Sequence, residues 1–435
     1  MPFQKVNKQY VSSIEFLDQR EILNKVLNIT NEESTFLDIL EMTGRSTVTH
    51  QPDYHQFVNE ELYGIGEVSS VTSGNLSNTV VLELTAATKN DCREGNLVLF
   101  NDKMVGYIIT KDDTEITIKS VDGSNLTVTA TDKLSFVSNA SGEGASGPAP
   151  FRKGQTKFWN QVQSFDGAYE ITDIEGGSKV ETEYKGSHFY MVKGQHEALM
   201  KFRADIGFGL FTSRISDQNF KSANPTLTDK NGNPVQTTRG MNQYIEDFGV
   251  NQSLNTGGVV SLADFKAFEK ELNKRRAPRE YCVYVGGNKN IEFDEFLQGL
   301  GSTPDLKNAR FSVDGRDLDL GMDSFRIFSR TYHKKYLPAL DHKNVFNFTG
   351  SAGFQDEAFF VPEGKIKTVD GSSMDYCRLR YMMPFGSDSR YKEVNTGAYA
   401  PGGATSDEKK WKITYYATMG LEILGADFFA KWDNG

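Results

Sequence analysis

The 435-residue sequence predicts an α+β fold carrying an inserted small all-β domain. Three observations predict it. Short, β-branched, alternating runs crowd residues 64–138 ("NTVVLELTAA", "NLVLFNDKMVGYIIT", "TEITIKSVDGSNLTVTA", "KLSFVS"), broken by Asn-Asp, Asp-Gly and Ser-Asn, as in successive hairpins. Residues 194–217, "GQHEALMKFRADIGFGLFTSRISD", place Leu199, Phe202, Ile206 and Leu210 at three- and four-residue steps, the mark of an amphipathic helix. Residues 261–300 read as helix, buried strand and helix in immediate succession.

In chain order, residues 1–62 form a first arm. Leu17, Ile22, Leu23, Val26 and Leu27 suggest one short helix, and Phe36, Leu37, Ile39 and Leu40 another. "STVTHQPDYHQFVNEELY" follows as extended or irregular chain, because Gln51 precedes a proline. Residues 63–148 are the β module, with turns expected at Phe100–Val105 and Val121–Ser124.

The module ends at "SGEGASGPAP". Gly142-x-Gly144-x-x-Gly147 matches a dinucleotide fingerprint on paper, but Pro148 and Pro150 follow where a helix should open. These glycines read as a flexible joint.

Residues 149–192 are aromatic-rich and extended, broken at Asp166-Gly167 and Gly176-Gly177 into a long two-stranded arm. Phe158, Trp159, Phe165 and Tyr169 have no obvious partner within that arm, so they are the candidate subunit contacts. In the helix that follows, Glu197 and Lys201 stand in the favourable i,i+4 order, while Gly207 and Gly209 imply close packing. Ser261–Asp264 reads as a capping-box variant, with Leu262, Phe265, Phe268 and Leu272 as the buried stripe. Lys274, Arg275 and Arg276 sit at the negative end of the helix dipole, and Pro278 stops the helix. "EYCVYVGG" is then a buried strand, and "IEFDEFLQGL" begins another helix. From Phe311 the pattern returns to β, with "GSDSRYKEVNTGAYAPGGATSDEKK" read as a long polar loop and "WKITYYATMGLEILGADFFAKW" as a closing aromatic strand.

Composition narrows the function. A net charge of −10 argues against a general nucleic-acid binder, since phosphate affinity needs clustered Lys and Arg. "MPFQKVNKQYVSS" has no apolar signal core, and no apolar run reaches membrane-spanning length. Cys92, Cys282 and Cys377 match no zinc spacing and read as packed thiols in a reducing compartment. In His50-x-x-Asp53-x-His55 the two histidines, five apart, do not share a helix face, and no further ligand or second shell completes a metal site. Asp314, Asp317, Asp319 and Asp323 fail the calcium-loop template, and Asp229–Pro234 reads as a turn. With no nucleophile elbow, P-loop, zincin or kinase signature, no catalytic, cofactor-binding or metal residue is assigned, and the chain is expected not to be an enzyme. The rival readings are a β-rich glycan-binding or adhesin-like surface protein and a hydrolase with dispersed carboxylates.

The order of these parts resembles the major capsid protein of tailed bacteriophages, the Hong Kong 97-type fold, with the flavour of the crAss-like gut phages. "KFWNQVQSFDGAYEITDIEGGSKVETEYKGSHFYMV" is similar to that family's extended loop and "GQHEALMKFRADIGFGLFTSRIS" to its spine helix. Residues 261–300 are similar to its axial domain and "ITYYATMGLEILGADFFA" to its closing strand. The resemblance covers most of the chain outside residues 63–148. It implies an arm (1–62), an inserted β-barrel-like domain (63–148) and an extended loop (149–192). It further implies a peripheral domain with the spine helix (193–229 and 410–435) and an axial domain (230–409). The implied product is an icosahedral or prolate head of pentamers and hexamers around double-stranded DNA held without sequence specificity. Its implied partners are further copies, a portal and accessory or decoration proteins, with no cofactor and no membrane. The implied location is the virion, assembled in the host bacterial cytoplasm.

Overall fold

A computed structural model describes residues 36–42, 45–59, 65–85, 92–100, 104–144, 154–174, 183–184, 187–216, 227–254, 259–302, 324–342, 345, 353–383, 389–401 and 403–433. The class is α+β, rich in sheet and with few helices. The chain divides into two units: His55–Phe158, and Met1–Tyr54 together with Trp159–Gly435.

In the smaller unit strict alternation builds a closed barrel. Thr79–Leu84 buries every second residue, Val80, Leu82 and Leu84, and Glu115–Ser120 opposite it buries Ile116 and Ile118. Around the barrel the strands run Ile65–Ser73, Thr79–Leu84, Glu115–Ser120, Val105–Lys111, Asn96–Leu99 and Lys133–Asn139, and the last pairs with the first. Closure leaves no free strand edge. Leu97 lies opposite Tyr107 and Leu99 opposite Val105, the two arms of a hairpin. The turn after Ser120 is tied by Asp122, whose carboxylate accepts from the Ser120 hydroxyl at 2.6 Å and the Ser124 amide at 2.9 Å. Those bonds hold its carboxyl low, at about 2.

The larger unit is built on two sheets. In the first, Lys410–Ile423 is the central strand. One edge pairs antiparallel with Gln163–Thr172 over the whole length of that strand, and the other with Tyr391–Gly397 and then Cys377–Met382. Ser46–Val48 adds a parallel strand outside Cys377–Met382. The long helix Phe189–Thr212 packs on this sheet through Phe202, Ile206 and Leu210. Leu199 is 38% exposed, so the buried stripe starts one turn later than its spacing predicts.

The second sheet runs Val250–Ser253, Ala430–Asp433, Ala358–Pro362, Glu280–Val285, Arg330–Tyr336 and Ser324–Ile327. Five successive residues of Glu280–Val285 are buried, as a strand covered on both faces requires. Helix Leu262–Lys274 contributes Phe265, Phe268 and Leu272 to this core, and helix Gly287–Ser302 contributes Phe293 and Leu297. Trp432 is fully buried, stacked on Phe293 with ring centroids 5.8 Å apart. The capping box is formed: Ser261 Oγ accepts from the Asp264 amide at 3.3 Å, and the Ser261 amide donates to Asp264 Oδ2 at 3.1 Å.

Three expectations need correction. Tyr391–Gly397, read as polar loop, is a strand, and its alternation is weak because its side chains are mostly half-buried. The final aromatic run is two strands in different sheets. They are separated at Gly425, whose φ of +65° suits glycine, and by a short 3₁₀ turn at Ala426–Phe428. Leu262 is only half-buried, so the stripe of its helix rests on the three residues after it. The helix expected over Leu17–Leu27, the Asp314–Asp323 cluster and residues 145–150 of the joint lie outside the described residues. Cys92, Cys282 and Cys377 are buried thiols outside any disulfide, and burial pushes Cys377 up to about 12.

Candidate assembly surface

Strand Gln163–Thr172 and the long helix approach closely because glycines line their contact. A Cβ on Gly209 would lie 2.7 Å from the Phe165 ring, one on Gly167 would lie 3.0 Å from Phe202, and one on Gly194 would collide with the Tyr169 ring. Phe165 is therefore held in the core of its own chain at 7% exposure, which corrects the expectation that its ring awaits a neighbouring subunit. Tyr169 is half-buried on the same face. Phe158 and Trp159, on strand Gln155–Gln161, are also half-buried.

Just beyond Trp159 lies a buried polar node. Asn160 donates to the carbonyl oxygens of Leu421 at 2.7 Å and Arg239 at 3.1 Å, and accepts from the amides of Arg239 at 2.7 Å and Gln161 at 2.8 Å. Gln161 donates to Thr237 O at 2.9 Å and Ser216 Oγ at 2.8 Å. The Tyr54 hydroxyl donates to Leu421 O at 2.7 Å, and burial pushes that hydroxyl well up from its usual range. A Cβ on Gly420 would meet Tyr54 and Gln161 at under 3 Å, so glycine is what lets these chains cross. Beside the node Glu422 pairs with both Arg378 and Arg380. Burial opposes its ionisation, but hydrogen bonds from the two guanidiniums more than offset that and hold its carboxyl below the usual range.

A second node joins helix Phe36–Met42 to the long helix and the sheet. Glu41 accepts from Arg203 at 2.8 Å, Tyr391 OH at 2.7 Å and Arg390 at 3.3 Å. These contacts fix the sheet so that one face meets the helix and the other meets solvent. The solvent face carries Ser164, Asp166, Ala168 and Glu170 beside Lys412, Thr414, Tyr416 and Thr418. At its end Ile174 is 81% exposed, and Tyr399 faces Asp173 across exposed chain.

The surface thus combines a largely polar sheet face with apolar side chains at one end. Among the described residues no group of three His, Cys, Asp or Glu side chains is placed to hold a metal ion, and His50 is exposed. Asp229 closes the turn expected at Asp229–Pro234, accepting from the amides of Asn231 and Asn233, each at 2.8 Å. Sequence reasoning missed Asn160, Tyr54 and Glu422, whose partners are remote in sequence. Gly207 and Gly209 were the local signal of the separate contact between the long helix and strand Gln163–Thr172.

No family model and no curated protein matches the sequence. Among solved structures, the chain is similar to one from Microbacterium phage Oxtober96, at 11% identity over 97% of each chain with a TM-score of 0.43. It is similar to the capsid of a native GTA particle computed with C5 symmetry, at 8% identity over 99% of this chain and 100% of that one, TM-score 0.41. A third similarity is to the holo-SrpI encapsulin complex from Synechococcus elongatus PCC 7942, at 8% identity over 65% of this chain and 76% of that one, TM-score 0.37.

Proposed function

We propose that the chain is a shell-forming major capsid protein of a tailed bacteriophage, assembling into the pentamers and hexamers of a head that encloses double-stranded DNA. One observation supports this best. The long helix packs on the sheet that pairs Gln163–Thr172 with Lys410–Ile423, and every strand of the α/β sheet except Ala430–Asp433 lies between those two strands in sequence. That is the order of parts in the family the sequence resembles. On this reading residues 1–62 are the arm, 63–148 the insertion and 149–192 the extended loop. Residues 193–229 with 410–435 are the peripheral domain and 230–409 the axial domain, except that Ala430–Asp433 pairs within the second sheet and Cys377–Met382 and Tyr391–Gly397 within the first.

Rings of five and six require heterologous contacts, in which one patch meets a different patch on the next copy. Phe158, Trp159 and Tyr169 contribute to those contacts, and the role is non-enzymatic. The net charge of −10 keeps the inner wall from adhering to packed DNA. A portal and accessory or decoration proteins complete the head, which is assembled in the host cytoplasm and ends in the virion. Electron microscopy of the overexpressed protein tests the reading. Closed particles of uniform diameter are expected, and a chain that stays monomeric at high concentration overturns it.

A further inference from the structure

The basic run Lys274-Arg275-Arg276 lies in the fold beside an exposed aromatic ring. Phe328 and Ser329 form the two-residue loop of the hairpin that joins Ser324–Ile327 to Arg330–Tyr336, since Ile327 lies opposite Arg330. Phe328 has a φ of +53° at a loop position where glycine is the usual residue, and it is 52% exposed. Its ring is thus held in solvent on a strained backbone, and residues kept in such conformations gather at binding sites. Arg330 fixes where the loop sits. Its buried guanidinium donates to the carbonyl oxygens of Pro278 at 2.9 Å and Ala277 at 3.3 Å, to Asn273 Oδ1 at 2.9 Å and to Glu269. The hairpin tip is therefore clamped against the C-terminal end of helix Leu262–Lys274. There Arg276 is a second residue with positive φ, +54°, and it too is exposed.

We propose that this tip binds single-stranded nucleic acid, with its cations on the phosphates and Phe328 stacked on an unpaired base. The Thr331 amide donates to Arg279 O at 2.8 Å, and Thr331 lies opposite Arg326, so Arg279 and Arg326 flank one strand. Lys270, Lys274, Arg276, Arg279 and Arg326 are all exposed. Lys274 pairs with Glu271 at 2.9 Å, and Arg275 is taken up by Glu271 and the carbonyl oxygens of Phe248 and Asp427. Among the described residues Lys270, Arg276, Arg279 and Arg326 form no ion pair. Glu269 is neutralised by Arg330, which leaves exposed Glu280, opposite Thr331, as the acid in register with them. Exposed guanidiniums are suited to phosphate oxygens, which they can bind two at a time. A free ring next to them is what an unstacked base requires, and an acidic peptide would match the charge but not the ring. A duplex keeps its bases stacked on one another and offers Phe328 nothing to cover. The net charge of −10 repels nucleic acid elsewhere and confines the contact to this tip.

Fluorescence anisotropy of a short labelled oligothymidylate, titrated with the full-length chain at several salt concentrations, tests the contact. Saturable binding that weakens steeply with salt is expected, with a duplex of the same length bound less tightly. Phe328→Gly should cut affinity for the single strand about tenfold, the loss of one stacked base, while the thermal midpoint stays level or rises as the strain is relieved. Phe328→Asn repeats the test if the glycine loosens the hairpin. Arg279→Gln with Arg326→Gln should lower the slope of log affinity against log salt by about 1.4, the share of two phosphate contacts on a single strand. No binding at low salt overturns the proposal, and so does binding that these variants leave unchanged, which would place it elsewhere on the chain. A polyglutamate peptide that displaces the oligonucleotide and binds the Phe328→Gly chain as well as the wild type would make the tip a site for acidic protein instead. The contact needs no assembled shell, and particle formation in the same sample reports separately on the shell reading.

Discussion

The side-chain amide of Asn160 donates to the carbonyl oxygen of Leu421 at 2.7 Å, joining positions 261 residues apart. Leu421 O also accepts from Tyr54, so the node gathers three distant stretches of chain at one carbonyl. Asn160→Ala removes the acceptor for two amides, those of Gln161 and Arg239, and leaves them to find other partners in a buried site. A loss of about 2–4 kcal/mol in unfolding free energy is expected by denaturant titration. Asn160→Asp keeps the acceptor but buries a charge, and its penalty should shrink as the pH approaches 4. A loss below about 1 kcal/mol for the alanine variant would show that the node is not structural.

Gly209→Ala sets two effects against each other. Alanine gains about 1 kcal/mol of helix propensity. Its methyl would sit 2.7 Å from the Phe165 ring, and overpacking of a core costs about 1–3 kcal/mol. The net effect should be destabilising, and Phe165→Leu in the same chain should recover most of the loss. If Gly209→Ala raises the melting temperature, the strand and helix are not in contact there.

Two buried glutamates should answer acid in opposite ways. Glu357 lies 3.0 Å from Lys431. Burial pushes its carboxyl up to about 7, Lys431 offsets part of that, and Asp433 and Glu246 add to it. A raised carboxyl binds its proton more tightly folded than unfolded, so its stabilising contribution is complete below pH 4.5 and is lost as pH rises towards 7. The change across that window is at most about 3 kcal/mol, and Glu357→Gln should flatten it. Glu422, held low, contributes stability that is present above the usual carboxylate range and lost below it. Glu422→Ala leaves Arg378 and Arg380 without their acid and should cost about 3–5 kcal/mol at neutral pH. Urea unfolding at several pH values separates the two, and parallel pH curves for wild type and Glu357→Gln would contradict the first.

Trp159→Ala should impair particle assembly more than it impairs subunit solubility. Particle yield by sedimentation, set against soluble yield of the same variant, measures this. Normal particles of unchanged stability would remove Trp159 from the contact set.

Sequence was a reliable guide where structure depends on near neighbours. The alternation in Thr79–Leu84 and the Ser261–Asp264 box are formed as read, and of the stripe read as Leu262, Phe265, Phe268 and Leu272 all but Leu262 are buried. Gly209 gave a true sign of close packing without naming its partner. What stayed hidden was set by partners far along the chain. Phe165 looked unpartnered because its cover comes from the long helix, beyond its own segment. Tyr391–Gly397 looked like loop because a strand of mostly half-buried side chains loses its alternation. Asn160 has no local signature, since a buried amide is recognisable only once its carbonyls are in place.

The central position of Lys410–Ile423 also governs how the chain is made. Its edges hold Gln163–Thr172, Cys377–Met382 and Tyr391–Gly397, and Ala430–Asp433 fills a slot between two strands of the other sheet. At a ribosomal pace of about 5–20 residues per second, Gln163–Thr172 waits roughly 10–50 s for its neighbour to be translated. Throughout that interval a sticky ribbon stands open to sister chains growing on the same messenger. Nascent subunits crowded on a polysome therefore face their greatest risk of tangling just before release, and a ribosome stalled short of codon 410 would yield a chain able to close neither sheet.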